Sequence, residues 1–454
     1  MTNRICCIGA GYVGGPSMIV MADSCPGVEI NVVDHDQHRI DGWNNLTSSH
    51  LPIYEPGLDS IHQRVIGKNL HFTTDVETSI KNADMVFISV NTPTKSYGLG
   101  AGEAADLTNI ELAARKIAEC SKGFTIVVER STLPVRTGDV LRRIFQKNSN
   151  ESFSILSNPE FMAEGTAVTD LVHPDRVLIG GHDLDAVEEL ASIYQHWVPE
   201  ERILRTNLWS AELSKLTANA FLAQRVSSVN TIAAVCEASG AHIGEVVQAI
   251  GGDRRIGSNF LKAGPGFGGS CFRKDILNLI YISDYLGLPE VSAYWRSVIF
   301  INDWSRKRIS QIVIQKLFST LRGKKIAILG FAFKPLTNDI RESSAIQICK
   351  DLLMEGAFLS IHDPLVSAES VRDALSGSFE SSFVCSHELT SAFTDADAAI
   401  LLTDWPMYLE LDWNLLSKLM RSPAWIFDTR NVLQRGEIES AGINIWTIGY
   451  GDIY

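Results

Sequence analysis

The sequence predicts an α/β protein with two doubly wound parallel-sheet domains, joined by a long central helix and a helical domain. Short apolar runs alternate with helical stretches in the first part of the chain. The same alternation returns in the last third, and a long helical pattern lies between the two regions. Continuous apolar runs separated by helices are typical of a parallel sheet that is covered on both faces.

Five apolar runs of strand length occur in the N-terminal part of the chain. They cover residues 4–8, 29–34, 84–90, 125–129 and 153–157. Several are rich in Val and Ile, which favours buried strands. We therefore expect these runs to form the first sheet.

A stripe of apolar residues predicts one long helix from about Asn207 to Gly240. Its members recur at steps of three and four: Leu213, Leu216, Ala220, Ala223, Val226, Val229, Ala233 and Cys236. Such a helix is roughly twice the usual length, so it is expected to join two domains. After a glycine-rich stretch from Gly264 to Gly269, further helix is expected through Trp304.

The last third of the chain repeats the strand pattern of the first part without close sequence identity. Its apolar runs cover residues 324–330, 358–363, 398–402 and 425–428. Since 454 residues exceed one ordinary core, we expect three domains, over residues 1–207, 208–318 and 319–454.

Composition excludes several classes of protein. The formal net charge of -13 would repel nucleic acid and anionic lipid over most of the surface. No apolar run is long enough for a membrane span, and Met1-Thr2-Asn3-Arg4 leads into a strand rather than a signal peptide. We therefore predict a cytosolic protein that binds neither nucleic acid nor membrane.

The eight cysteines are scattered along the chain and include no C-x-x-C pair. This argues against a disulfide framework and against a zinc site. Most of them are expected to be free thiols that behave as small buried apolar residues.

The first apolar run ends in a glycine motif at a predicted strand-to-helix turn, Gly9-Ala10-Gly11-Tyr12-Val13-Gly14. Glycines there allow a pyrophosphate to approach the backbone at the helix N-terminus. Asp34 closes the second run, where a carboxylate binds ribose hydroxyls and repels a 2'-phosphate. The motif predicts a Rossmann-like NAD-binding domain, although Arg39 nearby would accommodate a phosphate and leaves NADP open.

Cys271 is the candidate nucleophile among the cysteines. It follows the glycine-rich stretch, precedes a predicted helix, and is followed by Arg273 and Lys274. A helix N-terminus and neighbouring cations lower a thiol pKa, which raises the thiolate fraction at neutral pH.

Two further groups have both functional and ordinary interpretations. Lys215 and Asn219 lie four residues apart, so they project from one helix face and would donate jointly to an oxyanion. A solvated helix face is the alternative. Glu160 and Glu164, in a loop after the run 153–157, would position water or donors, or would be loop carboxylates without a role.

Seven motifs in order resemble the UDP-glucose dehydrogenase family over essentially the whole chain. They are Gly9-Ala10-Gly11-Tyr12-Val13-Gly14, Val90-Asn91-Thr92-Pro93-Thr94, Ser131-Thr132-Leu133-Pro134, Asn158-Pro159-Glu160-Phe161-Met162-Ala163-Glu164-Gly165, Glu212-Leu213-Ser214-Lys215-Leu216, Gly268-Gly269-Ser270-Cys271-Phe272 and Gly330-Phe331-Ala332-Phe333-Lys334.

The resemblance implies two successive NAD reductions on one bound UDP-glucose, which yield UDP-glucuronate through a thioester on Cys271. It implies that Lys215 and Asn219 hold the C6 oxygen. Thr132 and Asp275 would manage the proton or water, and Glu160 would assist thioester hydrolysis.

The resemblance also implies two sets of binding residues. Those assigned to NAD are Gly9, Gly11, Tyr12, Val13, Gly14, Asp34, Arg39, Val90, Asn91, Thr92, Ser131, Thr132, Glu164 and Arg341. Those assigned to the UDP-sugar are Glu160, Phe161, Lys215, Asn219, Arg255, Phe260, Lys262, Phe267, Gly268, Cys271, Phe272, Phe333, Lys334 and Arg430. Residues 319–454 are accordingly expected to bind the UDP-sugar, and 208–318 to mediate dimerisation.

Some features depart from the family pattern or leave its properties open. Arg273 stands where many bacterial relatives carry proline and animal enzymes glutamine. The resemblance implies a homo-oligomer, either a dimer or a hexamer. Another nucleotide-sugar 6-dehydrogenase, acting on UDP-N-acetylmannosamine or GDP-mannose, is the nearest alternative. A single-step hydroxyacid dehydrogenase and an NAD-binding sensor without turnover are further alternatives.

Overall fold

A computed structural model of the protein describes residues 2–45, 51–376 and 381–451. The chain divides into two compact units. The first unit comprises Met1–Ala218 and Leu277–Leu288, and the second comprises Asn219–Ile276 and Pro289–Tyr454. The division into three domains over 1–207, 208–318 and 319–454 stays a prediction.

The described part of the first unit contains an eight-stranded sheet. Its strands are β1 (Arg4–Ile8), β2 (Glu29–Val33), β3 (Leu70–Thr73), β4 (Met85–Ile88), β5 (Thr125–Glu129), β6 (Phe153–Ser157), β7 (Val177–Gly181) and β8 (Ile203–Thr206). They lie in the order β3-β2-β1-β4-β5-β6-β7-β8. The first six are parallel, whereas β7 pairs antiparallel with β6 and parallel with β8. The five predicted strands are confirmed, and β3, β7 and β8 were not predicted.

Helices cover both faces of this sheet. They are α1 (Gly14–Ser24), α2 (Gln37–Asn44), α3 (Leu58–Val65), α4 (Val76–Asn82), α5 (Thr108–Cys120), α6 (Thr137–Asn148), α7 (Ala167–Val172) and α8 (Leu184–Tyr194). Because side chains alternate along a strand, Cys7 joins the core beneath α1 and α8, while Cys6 joins the core beneath α5 and α6. Both faces of β1 are therefore buried, as its apolar run predicted.

The chain continues into four helices, α9 (Leu208–Ser239), α10 (Ile243–Gly251), α11 (Phe272–Tyr285) and α12 (Pro289–Lys316). The predicted long helix is confirmed as α9. The predicted helix through Trp304 is wrong in its bounds, because it breaks before Pro289 and then continues to Lys316. Gly287 ends α11 with a φ of +74°, and Pro289 begins α12 as its first residue.

A second, six-stranded sheet lies in the second unit. Its strands are β9 (Lys325–Leu329), β10 (Phe358–His362), β11 (Phe383–Cys385), β12 (Ala398–Leu401), β13 (Trp425–Asp428) and β14 (Asn444–Thr447). The helices of this region are α13 (Ser344–Met354), α14 (Ala368–Leu375), α15 (Leu389–Phe393), α16 (Trp413–Leu419) and α17 (Arg435–Ser440). Four of these strands were predicted; β11 and β14 were not.

The two sheets share one topology. The order β11-β10-β9-β12-β13-β14 repeats β3-β2-β1-β4-β5-β6, and every pair of neighbours in the second sheet is parallel. In each sheet the chain reverses its direction of winding beside the first strand, and ligands of such folds bind at the strands' carboxyl ends at that point. The predicted fold class, two doubly wound α/β regions with a long helix between them along the chain, is confirmed.

None of the helices within the described ranges combines the length and the apolar character that crossing a membrane requires.

Candidate functional site

The turn between β1 and α1 gives its three glycines different surroundings. A Cβ on Gly9, whose φ is +107°, would lie 2.5 Å from the carbonyl oxygen of Ser89, and one on Gly14 would lie 2.0 Å from the carbonyl oxygen of Gly9. A Cβ on Gly11 would meet no atom of the described residues within 4 Å. Gly9 and Gly14 are thus required by the protein's own backbone, while Gly11 faces open space beside the N-terminus of α1. This arrangement fits a pyrophosphate.

Asp34 connects the end of β2 to this turn. Its carboxylate accepts hydrogen bonds from Ala10 N at 3.0 Å, Asp36 N at 3.0 Å and Arg39 Nη1 at 2.9 Å. Burial alone would raise the pKa of Asp34, but these hydrogen bonds and the Arg39 charge outweigh it and lower the pKa. Asp34 is therefore ionised, and Arg39 is bound to it.

The loops after β4 and β5 meet at the carboxyl end of the sheet. Ser131 Oγ donates to Val90 O over 2.7 Å, and Thr92 Oγ1 donates to Thr132 O over 3.0 Å. Asn91 O accepts from Asn109 Nδ2 at 3.1 Å, beside them. The structure thus brings together the residues of these two loops that were assigned to the cofactor. With the glycine turn and the ionised Asp34, the donor set fits NAD.

Lys215 and Glu160 form a buried ion pair. Lys215 Nζ lies 3.3 Å from Glu160 Oε1, and the two residues are 4% and 7% exposed. The second oxygen of Glu160 accepts from Met162 N at 2.8 Å, and the ammonium group lies 5.5 Å from the centre of the Phe161 ring. Neither a solvated helix face nor an unattached loop carboxylate describes these two side chains.

Sequence reasoning missed the buried residues that hold the Glu160 loop. Arg130 Nη1 donates to Asn158 Oδ1 at 2.8 Å and to Tyr194 Oη at 3.0 Å, and Arg130 Nη2 donates to Ser17 Oγ at 3.3 Å. These residues and Glu160 line a cavity of about 100 Å³.

The other end of this loop is fixed by Glu55. Its carboxylate accepts from Gly165 N at 2.6 Å and from Ala167 N at 3.1 Å, next to the half-buried Glu164. Glu55 precedes Glu164 by more than 100 residues, so no local sequence pattern indicated this contact.

In the second unit, Cys271 stands at the N-terminus of α11. Its carbonyl oxygen accepts from Asp275 N at 2.9 Å, and its partly exposed Sγ lies 3.4 Å from Ser270 Oγ. Arg273, expected to act on the thiol, directs Nη1 to Asp303 over 2.7 Å. Lys274 Nζ lies 3.9 Å from a carboxyl oxygen of Asp275. The lowered thiol pKa stays a prediction.

The other cysteines are poor nucleophiles. All eight are free thiols. Burial raises the pKa of the other seven thiols: to about 12 for Cys7, to about 11 for Cys25, and upward for Cys6, Cys120, Cys236, Cys349 and Cys385. A raised pKa leaves little thiolate at neutral pH.

Asn219 and Asp275 form a buried hydrogen-bonded pair, and Asp275 follows Cys271 by four residues. Asn219 Nδ2 donates to Asp275 Oδ2 over 2.6 Å, and both residues are buried. The pair joins α9 to the first turn of α11. An amide that is fixed by a carboxylate is preorganised to donate its remaining N–H.

Two residues of α12 hold the glycine-rich loop, and sequence reasoning missed both. The Asn302 amide accepts from Phe267 N at 2.7 Å and donates to Phe267 O at 3.2 Å. Arg306 Nη2 donates to Phe267 O at 2.8 Å and to Glu342 O at 2.7 Å. A Cβ on Gly266, whose φ is +120°, would lie 2.7 Å from Asn302 Oδ1. The glycine therefore permits the contact that fixes the loop.

Two residues assigned to the UDP-sugar, Arg430 and Phe333, lie beside the same loop. A Cβ on Gly264 would lie 3.3 Å from Arg430 Nη1. A Cβ on Gly269 would lie 3.0 Å from the Phe333 ring. A Cβ on Gly268 would lie 2.8 Å from Phe333 Cβ. The ammonium group of Lys334 lies 5.5 Å from the Phe333 ring centre.

The remaining assigned residues differ in exposure: Phe267 is buried, whereas Phe260 is exposed. The rings of Phe260 and Phe267 lie 6.3 Å and 5.9 Å from that of Phe272. Lys262 is exposed, and Arg255, with an 89% exposed side chain, pairs with Asp253 at 2.7 Å. Arg341 pairs likewise with Asp339, while its carbonyl oxygen accepts from Gly269 N at 2.9 Å.

Three models of the UDP-glucose/GDP-mannose dehydrogenase family match the chain in order. The NAD binding domain matches residues 3–198, the central domain residues 209–304, and the UDP binding domain residues 327–435. Together they cover well over half of the chain.

Curated relatives match nearly the full length. The UDP-glucose 6-dehydrogenase of Bos taurus is 53% identical over 462 residues, which cover 98% of this chain and 93% of that protein. The UDP-glucose 6-dehydrogenase 3 of Oryza sativa subsp. japonica is 51% identical over 467 residues, covering 98% of this chain and 97% of that protein.

Solved structures show the same fold. A UDP-glucose dehydrogenase from the hyperthermophilic archaeon Pyrobaculum islandicum aligns with a TM-score of 0.87 at 29% identity, covering 100% of this chain and 98% of that one. A UDP-D-ManNAc dehydrogenase from Pyrococcus horikoshii aligns with a TM-score of 0.84 at 25% identity, covering 99% and 100%.

Proposed function

The chain belongs to the UDP-glucose/GDP-mannose dehydrogenase family, and on that premise we propose that it oxidises UDP-glucose to UDP-glucuronate with NAD, through a thioester on Cys271. The observation that carries the substrate is the identity of about half of all residues with UDP-glucose 6-dehydrogenases over nearly the full chain. The domains proposed for this activity are NAD-binding (1–207), central (208–318) and UDP-sugar-binding (319–454).

The first oxidation converts the C6 alcohol to an aldehyde. Lys215 and Asn219, one turn apart on α9, donate to the C6 oxygen as negative charge develops there. The Asn219–Asp275 and Lys215–Glu160 contacts support this role, since each donor is held in place by a buried carboxylate. NAD, when bound, accepts a hydride in each of the two oxidations.

Cys271 then keeps the aldehyde on the enzyme. Its thiolate adds to the C6 carbon and forms a thiohemiacetal, and loss of a second hydride from C6 leaves a thioester. Water adds to the thioester, the C–S bond breaks, and the carboxylate leaves with Cys271 restored. Glu160 assists this hydrolysis by orienting the water, while Thr132 and Asp275 handle protons or water.

The substrate's diphosphate and rings are bound by cations and aromatic side chains. Arg430 and Phe333 lie beside the glycine-rich loop that leads to Cys271, and the Lys334 ammonium group lies near the Phe333 ring, which supports their assignment. Local cations of this kind attract a pyrophosphate even to a protein of net charge -13.

We expect a homo-oligomer in the cytosol, either a dimer or a hexamer, without nucleic acid or membrane. An exposed aromatic group supports association: the Phe221 and Tyr294 rings lie 5.8 Å and 5.0 Å from the Trp295 ring, and Phe221 and Tyr294 are exposed. Sedimentation of the wild type and of Phe221→Ser with Tyr294→Ser tests this, because a monomeric wild type would contradict it.

The decisive experiment counts NADH formed per UDP-glucose consumed, for the wild type and for Cys271→Ala. UDP-N-acetylmannosamine and GDP-mannose serve as comparison substrates. Two NADH per UDP-glucose, lost in the variant, support the thioester route. One NADH, or turnover that survives without Cys271, indicates a single-step dehydrogenase instead.

A further inference from the structure

Glu129, the last residue of β5, receives no hydrogen bond from the described residues that would stabilise a charged carboxylate. It is 1% exposed, and no N–H or O–H group of residues 2–45, 51–376 or 381–451 donates to either of its oxygens. An ionised carboxylate is not stable in such surroundings, because nothing replaces its lost hydration. Glu129 has no part in the mechanism proposed above.

The Glu129 carboxyl lies within hydrogen-bond contact of the Glu212 carboxyl. Glu212 lies on α9, is also buried, and accepts from Arg136 N at 2.6 Å and from Gly138 N at 2.8 Å. These are N-terminal amides of α6, which has no cap from its own side chains. A negative charge on Glu212 is favoured at this helix end.

The charged groups around the pair identify which member carries a proton. Burial foremost, and then the charges of Glu212 and Asp139, raise the pKa of Glu129. Burial also raises the pKa of Glu212, but hydrogen bonds from Gly138 N and Arg136 N oppose it. Asp139 is itself paired with Arg142 at 3.3 Å, and the Arg136 guanidinium lies 5.1 Å from the Trp209 ring centre. Glu129 is therefore the acid, and Glu212 the carboxylate.

We propose that Glu129 and Glu212 share one proton and act as a pH-dependent positioning pair for the active site. The pair joins three elements, the end of β5, the first turn of α6 and α9. Thr132 follows Glu129 by three residues, and Lys215 follows Glu212 by three on the same helix. Loss of the proton places two negative charges together and separates these elements. The positioning role, though not the shared proton, rests on the proposed function of Thr132 and Lys215.

The direction of the pH effect follows from the raised pKa of Glu129. The unfolded chain releases this proton at a lower pH than the folded protein does. Stability from the pair is therefore complete below the unfolded-state pKa and is lost as the pH rises through the folded-state pKa. In this range the loss approaches about tenfold in the folding equilibrium constant per pH unit.

Glu129→Gln tests the pair, because its amide donates to Glu212 permanently. We expect the thermal midpoint and kcat of the wild type to fall at alkaline pH, and both falls to be reduced in the variant. Glu111→Gln, on the exposed side of α5, is the matched control and should follow the wild type. Glu212→Gln removes the charged cap of α6 and should lower kcat at every pH. An alkaline fall in Glu129→Gln equal to that of the wild type would overturn the proposal.

Infrared spectroscopy of the wild type gives a second test that does not depend on a stable variant. At neutral pH, exposed carboxyl groups are ionised, so a carbonyl band of a buried carboxylic acid should remain and vanish on alkaline unfolding. Absence of that band would also overturn the shared proton. Neither the thermal midpoint nor the infrared band needs substrate, so a failed NADH count with both results as expected would reject the thioester route and leave the shared proton standing.

Discussion

Asn219 donates a hydrogen bond to Asp275 over 2.6 Å, and both side chains are buried. The carboxylate fixes the amide plane, so the remaining N–H of Asn219 has a defined direction. A fixed donor costs no reorganisation when charge develops on an oxygen.

Replacing Asn219 by Ala is therefore expected to reduce kcat by about a hundredfold, as loss of one oxyanion donor does. KM for UDP-glucose should change little, because the donor acts mainly in the transition state. Gln224→Ala, on the same helix, is the control. Steady-state kinetics decide the matter: a rise in KM with unchanged kcat would assign Asn219 to ground-state binding.

Variants of the buried Lys215–Glu160 pair distinguish its contribution to stability from its contribution to catalysis. Removing one partner alone, as in Lys215→Met, leaves an unpaired buried charge and should cost about 3–5 kcal/mol in unfolding free energy. The double variant Lys215→Met with Glu160→Gln should recover much of that stability, since no charge is left unpaired. Its kcat should not recover. Urea unfolding and kinetics on the single and the double variant test this, and recovered turnover in the double variant would exclude both residues from the chemistry.

Local sequence predicted those parts of the fold that local patterns determine. The apolar stripe located α9, and the glycine motif before Asp34 located the turn at Gly11. Strand β3 was missed because its four residues alternate in burial and form too short a run to stand out. The reversed direction of β7 depends on its pairing with β6, which no local pattern records.

In the candidate site, too, local sequence patterns indicated some residues, while others were identified only by their tertiary contacts. Cys271 stands in a recognisable glycine-rich motif, whereas Asn302 is an unmarked polar residue within a long helix. Its contact with Phe267 spans 35 residues of sequence. Partners of buried polar groups are set by tertiary structure, so Asn302, Arg306 and Glu129 became visible only in the fold.

Asn302 is expected to set the reactivity of Cys271 through the loop. Asn302→Ala leaves Phe267 N and O without the amide, at a cost of roughly 1–3 kcal/mol. The rate of Cys271 alkylation by iodoacetamide, followed by mass spectrometry, should change together with kcat. Ser297→Ala, on an exposed part of the same helix, should alter neither. Unchanged alkylation with reduced kcat would point to a role elsewhere.

The glycines of the first turn provide a matched pair of substitutions. Gly14→Ala places a methyl group 2.0 Å from the Gly9 carbonyl oxygen, so the turn must shift and the thermal midpoint should fall without any ligand. Gly11→Ala has open space on the protein side and should leave the ligand-free midpoint unchanged. The same methyl group should weaken NAD binding, because it occupies the space into which the pyrophosphate approaches. Thermal unfolding without NAD and titration calorimetry with NAD measure the two effects; wild-type NAD affinity in Gly11→Ala would show that the pyrophosphate does not approach this turn.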